Sequence, residues 1–119
     1  MKHQVWDYPA TIVEGHDGTG AYDGDSIHID IDLGFRAHWI GLARLSGIDA
    51  PELPTPEGIA ARDFLRGLLP VGTVVVVDSW ELDKYGRPLL DVYRRSDGKW
   101  VNEEMLTSGH AVPYHGGKR

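Results

Sequence analysis

The chain has 119 residues and a net charge of −6 at pH 7, with 41% hydrophobic and 25% charged residues. This length allows one domain with its own core, and this composition excludes a disordered chain. The lack of cysteine excludes disulfide bonds and thiolate metal sites. No apolar run suits a signal peptide or a membrane span. We therefore expect a soluble protein, cytoplasmic or phage-encoded, or secreted if a signal peptide has been removed.

The charge is distributed unevenly along the chain. Residues 1–83 carry a net charge of −9, whereas residues 84–119 carry +3. An acidic part suits cation binding, and a basic part suits contact with a polyanion. Ordinary solvated surface charge would explain the same counts equally well.

Three strands are predicted before the first helix. β-branched residues favour a strand at Tyr8–Glu14, and alternating isoleucines predict a half-buried strand at Ser26–Asp32. A third strand is predicted at Arg36–Leu45. The Gly15–Ala21 stretch between the first two is polar and rich in glycine, which indicates a loop. It lacks the lysine of a phosphate-binding P-loop.

The second part of the chain alternates helix and strand. A helix is predicted at Glu57–Leu69, followed by a strand at Gly72–Trp80 whose four consecutive valines indicate burial on both faces. Another strand is predicted at Pro88–Arg95, and a second helix at Val101–Ser108, capped by Asn102 or its neighbour. The apolar stripe predicted for the first helix contains Ile59, Ala60, Phe64, Leu65, Leu68 and Leu69.

This order of elements predicts a mainly β, α+β fold. Three strands, a helix, two strands and a final helix fit a five-stranded Greek-key barrel of the OB type with two to three helices. A mixed α+β sandwich is the alternative, and periodicity does not decide between the two. We expect residues 1–119 to form a single domain with a flexible tail at about 113–119.

Two carboxylates are candidate metal ligands. Asp25 lies in an Asp-Gly-Asp-Ser turn, and Asp49 follows 24 residues later at the end of another strand. Carboxylates without nearby cysteine favour Ca²⁺ or Mg²⁺ over zinc. Turn aspartates commonly bond their own backbone, so Asp25 alone would be assigned to a turn. The second acid at a strand end weakens that assignment and keeps a metal site as a candidate. The six histidines show no metal-ligand spacing and are interpreted as structural or surface residues.

Two arginines are candidate phosphate-binding groups. The guanidinium groups of Arg44 and Arg87 offer paired donors that match two phosphoryl oxygens. The alternative is a surface salt bridge, which the apolar neighbours of Arg44 make less suitable there. Arg44 and Asp49 are separated by an odd number of residues, which would place them on opposite faces of a regular strand. A bulge or bend at Gly47 is therefore required to bring them together.

Four further residues could act on a substrate. Glu52 is the candidate general base, with an exposed turn carboxylate as the alternative. Lys84 and Tyr85 could contact a terminal phosphate, and Tyr85 or Tyr114 could stack on a base. Exposed loop tyrosines without any such role are equally common.

Several motifs, in the same order, resemble the staphylococcal nuclease (thermonuclease-like) family. They are Asp23-Gly24-Asp25-Ser26, Arg44-Leu45-Ser46-Gly47-Ile48-Asp49-Ala50-Pro51-Glu52, Asp83-Lys84-Tyr85-Gly86-Arg87 and Asp97-Gly98-Lys99-Trp100-Val101-Asn102-Glu103. The resemblance implies an OB-type barrel and Ca²⁺-dependent hydrolysis of DNA and RNA that leaves 3′-phosphate ends. It also implies roles for six residues. Asp25 and Asp49 would be side-chain calcium ligands, Ala50 would bind calcium through its carbonyl, Arg44 and Arg87 would be the catalytic arginines, and Glu52 the base.

The chain departs from the family pattern in places. Ala50 stands where threonine is usual, Gly15–Ala21 looks like an insertion, and Leu53–Pro56 is shorter than the loop of the best-known member. A metal-dependent endonuclease is the favoured function, with a non-catalytic OB-fold nucleic-acid-binding module of the same family as the alternative. Loss of a catalytic residue would favour the module, and none is lost. The expected partner is DNA and RNA, with no membrane contact, and we expect a monomer.

Overall fold

The computed structural model describes residues 7–114, with the side chain of Trp80 left out. Within this range the chain forms eight strands and two helices. They are β1 Asp7–Ile12, β2 Ala21–Asp23, β3 Ser26–Gly34, β4 Ala37–Leu45, β5 Ile48–Asp49, α1 Pro56–Leu68, β6 Val74–Leu82, β7 Pro88–Arg94, α2 Val101–Thr107 and β8 Val112–Pro113. The described part of the chain contains no helix long and apolar enough to span a membrane.

Five of the strands close into a barrel. They are bonded in the order β1-β6-β7-β4-β3, and β3 pairs again with β1, so the sheet returns to its first strand. All these pairings are antiparallel except that of β4 with β7. The short β2 adds to β3, and β5 and β8 form a separate two-stranded sheet. This closed, mostly β barrel with two helices confirms the predicted OB-type fold.

The barrel interior is filled by alternating residues of the strands. Ile27, Ile29 and Ile31 point inward and are buried, which confirms the half-buried strand predicted there. Helix α1 packs against the barrel, where Ala61 and Leu65 are fully buried. Together with residues from the other strands and α2, these side chains form a single apolar core. The core fixes the ends of β3 and β4 relative to each other and to β7.

One burial prediction was wrong, and another was correct only in part. The valines of β6 alternate, because Val75 and Val77 are fully buried whereas Val74 is 44% exposed. One face of this strand looks away from the core, as in an antiparallel barrel wall. The apolar stripe predicted for α1 is confirmed at Phe64, Leu65, Leu68 and Leu69, but Ile59 is 37% exposed and Ala60 is exposed, while Gly58 and Ala61 are buried instead. A close fit against the barrel needs small side chains there, which a search for large apolar residues overlooks.

The cap prediction also needs correction. The N-cap of α2 is Trp100, without a side-chain cap bond, whereas Asn102 is only 2% exposed and bonds to other elements. Within the tail predicted at 113–119, Pro113 belongs to β8, and the backbone N–H of Tyr114 donates to the Gly47 carbonyl at 2.8 Å. Residues 115–119 lie outside the described part.

Candidate active site

Arg44, near the end of β4, forms the centre of a buried ionic cluster. Its Nη2 donates to the Ile48 carbonyl at 3.1 Å and to Asp49 Oδ1 at 3.3 Å. The same Nη2 lies 3.4 Å from Asp25 Oδ2. Arg44 is only 7% exposed, so these contacts lie mostly away from bulk water. We call Arg44, Asp25 and Asp49 the Arg44 cluster.

A tight turn brings Asp49 back to Arg44. Gly47 has a φ of +76°, a conformation that glycine adopts without steric cost. The chain therefore reverses between β4 and β5, and both Ile48 and Asp49 come within reach of the guanidinium. This is the bend that the odd spacing of Arg44 and Asp49 required.

The turn before β3 positions Asp25 differently from Asp23. Asp23 accepts a hydrogen bond from the backbone N–H of Asp25 at 3.1 Å, as expected for a turn aspartate. Asp25 instead accepts the backbone N–H of Ala50 at 3.0 Å, so it joins this turn to the segment after β5. A Cβ on Gly24 would lie 2.7 Å from the Ala50 Cβ and 2.8 Å from the Ala61 Cβ. Only glycine fits this contact between the two turns and α1.

The carboxylates around the Arg44 cluster repel one another. Burial and the charge of Asp25 raise the pKa of Asp23 to about 6. Burial also raises the pKa of Asp49, with added repulsion from Asp25 and Glu52 that the charge of Arg44 partly offsets. A single guanidinium therefore does not balance the acidic groups at this end of the barrel. Such a site attracts additional positive charge.

The turn that carries Arg87 enters β7 near the end of β4 that carries Arg44, because these two strands are paired in parallel. Arg44 is paired with Leu89, and Arg87 precedes Leu89 by two residues. The fold thus places two arginines that are 43 positions apart in the sequence at the ends of neighbouring strands.

The loop at residues 83–87, which we call the Arg87 loop, is organised by Asp83. Oδ1 accepts the backbone N–H groups of Tyr85 and Arg87, each at 2.9 Å, and Oδ2 accepts Arg87 Nε at 2.7 Å. Burial would raise the pKa of Asp83, but these hydrogen bonds and the charge of Arg87 outweigh it, so the pKa lies below its ordinary value. Asp83 is an ionised acceptor for three donors of one short loop.

The remaining predicted residues lie around the two arginines. Glu52 is exposed on the turn after β5, and its charge reaches Asp49. Lys84 and Tyr85 are exposed in the Arg87 loop, where the Lys84 Nζ and the Arg87 Cζ lie 5.2 and 5.4 Å from the Tyr85 ring centre. The Tyr114 ring lies 5.6 Å from the Arg44 Cζ. Contacts of these residues with a substrate remain predictions.

Sequence reasoning missed two side chains that hold the site together. Asp83 stands in one of the family motifs, but the sequence assigns it no role of its own. Asn102 was interpreted as a helix cap, yet its Nδ2 donates to the carbonyls of Ser46 and Leu90, both at 2.9 Å, and its Oδ1 accepts the Val92 N–H at 2.9 Å. Asn102 therefore ties α2 to β7 and to the turn that carries Asp49. An asparagine so close to a cap position gives no sequence signal for this role.

The donor set fits a hard cation, although the fit rests on few side chains. Among residues 7–114, no three histidine or acidic side chains form a group that could hold a metal ion. The predicted site needs fewer, since it combines the carboxylates of Asp25 and Asp49 with the carbonyl of Ala50 and water. All are oxygen donors, which is the ligand type that a hard cation prefers. The ligands themselves remain predictions.

The fold and this geometry define a class, an OB-type barrel that presents two arginines and several carboxylates at one end. Comparison with known proteins agrees. The sequence model described as staphylococcal nuclease homologue matches residues 43–118. The chain therefore belongs to the staphylococcal nuclease family, as the motifs predicted.

Individual relatives are similar over part of their length. An uncharacterized endonuclease of Escherichia coli is 39% identical over 93 residues, which cover 77% of this chain and 56% of that protein. A staphylococcal-like nuclease of Arabidopsis thaliana is 42% identical over 71 residues, or 60% of this chain and 21% of that protein. A probable staphylococcal-like nuclease of Oryza sativa subsp. japonica is 40% identical over 68 residues, or 57% and 17%. The chain thus spans about a fifth of the plant relatives and just over half of the bacterial one.

Proposed function

We propose that the protein is a Ca²⁺-dependent endonuclease that hydrolyses phosphodiester bonds of DNA and RNA and leaves 3′-phosphate ends. The observation that carries the proposal is the Arg44 guanidinium, held below the surface between Asp25 and Asp49. The position of Arg87 just before the neighbouring strand β7 and the nuclease names of the relatives support it.

Two arginines suit the charge that develops in phosphodiester hydrolysis. Negative charge grows on the non-bridging oxygens as water attacks phosphorus, and donors fixed there lower the barrier. Arg44 is held at its Nη2 by Ile48 and Asp49, so it is oriented before substrate binds. Arg87 approaches from the neighbouring strand. Together they could contact different oxygens of one phosphate.

The proposed base is Glu52. Its carboxylate takes a proton from the attacking water, the water oxygen bonds to phosphorus, and the bond from phosphorus to the 5′ oxygen breaks. The 5′ oxygen leaves with a proton from solvent, and the phosphate stays on the 3′ oxygen of the upstream fragment. The exposure of Glu52 supports this role, because a base needs access to water.

Calcium would be held by Asp25, Asp49 and the Ala50 carbonyl. When bound there, it would neutralise the two carboxylates and stabilise negative charge on the phosphate. We favour Ca²⁺ over Mg²⁺ because calcium accepts irregular oxygen geometries, whereas magnesium demands a near-ideal octahedron. Lys84, Tyr85 and Tyr114 are the proposed substrate contacts, through a terminal phosphate and through stacking on bases.

A cleavage assay tests the proposal. The protein is incubated with end-labelled single-stranded DNA or RNA in Ca²⁺, in Mg²⁺ or in chelator, and the products are separated on a gel. We expect cleavage in Ca²⁺, little in Mg²⁺ and none in chelator. Phosphatase treatment should change the mobility of the 5′-labelled fragments, because they end in a 3′-phosphate. Binding of the oligonucleotide without cleavage under any condition would favour the non-catalytic module instead.

A further inference from the structure

Asp83 bonds to one side of the Arg87 guanidinium group, at Nε. A guanidinium has two donor edges that can each engage two oxygens, one made by Nε with an Nη and one made by the two Nη groups. Asp83 Oδ2 takes Nε at 2.7 Å. This contact leaves the edge formed by the two Nη groups for another ligand.

The same carboxylate fixes the loop that carries the arginine. Oδ1 binds the backbone N–H groups of Tyr85 and Arg87, so the backbone and the side chain of Arg87 are held by one residue. The Asp83 side chain is 11% exposed and that of Arg87 is 30% exposed. A largely buried carboxylate thus holds an arginine whose outer part reaches solvent.

We propose that Asp83 is the positioning residue for Arg87, which directs the Nη edge of its guanidinium toward the substrate phosphate. This inference rests on the proposed function. Asp83 itself does not touch the substrate. It acts by restricting Arg87 to one orientation, so that the Nη donors are already in place where negative charge grows on the phosphate in the transition state.

A second turn of the chain provides a matched control. Asp97 binds Arg94 through Nε and Nη2 and accepts the backbone N–H of Lys99 at 3.1 Å. It combines a turn carboxylate with a nearby arginine, as Asp83 does. Arg94 lies at the far end of β7 from Arg87, outside the proposed site. A change at Asp97 therefore reports the general cost of disrupting such a turn.

The kinetic test uses Asp83→Asn, Asp97→Asn, Arg87→Ala and the double variant Asp83→Asn/Arg87→Ala. Asparagine keeps an acceptor for the backbone N–H groups, but it loses the negative charge that holds Nε. We expect Asp83→Asn to lower kcat about 10- to 100-fold with KM changed less than about threefold, whereas Asp97→Asn leaves both near wild type. In the Arg87→Ala background, Asp83→Asn should cause no further loss. An equal loss with and without Arg87, or wild-type kcat in Asp83→Asn, would overturn the inference.

Nuclear magnetic resonance of the arginine side chains supplies a readout that does not need cleavage. In chelator, a short single-stranded oligodeoxynucleotide should shift the Nη resonances of Arg87, while its Nε–H signal stays protected from exchange. Asp83→Asn should remove that protection. If the oligonucleotide leaves Arg87 unshifted, or displaces Nε–H from Asp83, the inference is wrong. If the unmodified protein cleaves nothing while Arg87 behaves as expected, the proposed function fails and the positioning role stands.

Discussion

Arg44 and Arg87 are both held by carboxylates, but in opposite ways. In the Arg44 cluster the arginine and Asp25 are buried, and the acids come from the turn before β3 and from β5, so the cluster joins distant parts of the chain. The Arg87 loop is closed by Asp83 within five residues, and its arginine side chain is 30% exposed. The first arrangement links separate elements of the barrel, whereas the second orders a single surface loop. We therefore expect the contacts of Arg44 to stabilise the fold, and the contacts of Arg87 to orient its side chain toward a ligand.

The largest expected effect comes from Glu52, which belongs to neither arrangement. Glu52→Gln should lower kcat by about 10²–10⁴, because the amide takes no proton from water. Calorimetry should still detect Ca²⁺ binding in this variant, whereas Asp49→Asn should weaken it. Cleavage by Glu52→Gln at the wild-type rate would remove the base from the proposed mechanism.

Removing each arginine tests the comparison directly. Arg44→Ala and Arg87→Ala should each lower kcat about 10²–10³-fold. Arg44→Ala should also reduce the free energy of unfolding by about 3 kcal/mol, since it removes the buried guanidinium that offsets the charge of the buried Asp25. Arg87→Ala should reduce it by about 1 kcal/mol or less. Urea unfolding of the two variants measures this difference, and equal losses would contradict the distinction.

Asn102 joins the turn that carries Asp49 to β7, the strand that follows the Arg87 loop, so its loss should weaken the link between them. Asn102→Ala leaves the Ser46 carbonyl and the Val92 N–H without their side-chain partner in a buried setting. We expect a loss of about 2–3 kcal/mol in the free energy of unfolding. Asn102→Asp keeps the Oδ1 acceptor but loses the Nδ2 donor, so it separates the two contributions. Wild-type stability of Asn102→Ala would show that this residue does not connect the elements energetically.

The smallest effect concerns stability as a function of pH, outside both arginine regions. Asp78 lies between Asp7 and Asp91 on neighbouring strands. Burial, a hydrogen bond with Asp7 and the charges of Asp7 and Asp91 raise its pKa from 3.8 to about 6. The folded state therefore holds a proton that the unfolded state releases, and stability falls as the pH rises from about 4 through 6.

Asp78→Asn should remove this dependence. We expect the variant to exceed wild type by about 1 kcal/mol above pH 6, after allowance for solvent screening, and to match it near pH 4. Thermal unfolding across this range provides the measurement. A variant that gains nothing at neutral pH would show that the aspartates do not repel one another. Comparison of the variant with wild type also allows the pH dependence of stability to be distinguished from any pH dependence of cleavage.

Much of the barrel could be predicted because its strands are long. Alternation over Ser26–Asp32 covers several periods and identifies both the strand and its inner face. In contrast, β5 and β8 have two residues each, too few to show any period. Their pairing, which brings Tyr114 beside Arg44, follows from tertiary contacts alone. The bend at Gly47 could be predicted because the spacing of Arg44 and Asp49 demanded it.

The contribution of Asp83 could not be predicted for a different reason. Asp83 and Asp97 both occupy turns and both have an arginine nearby in sequence. No local sequence pattern distinguishes Asp83, which precedes β7, from Asp97, which follows it. The parallel pairing of β4 with β7 makes that distinction, and it joins segments far apart in the sequence.

The pairing of β8 with β5 also means that the site is completed only late in synthesis of the chain. Asp25, Arg44 and Asp49 leave the ribosome long before Asn102 and Tyr114, yet those later residues hold the turn that carries Asp49. A growing chain therefore contains every proposed catalytic group before it can fix their arrangement.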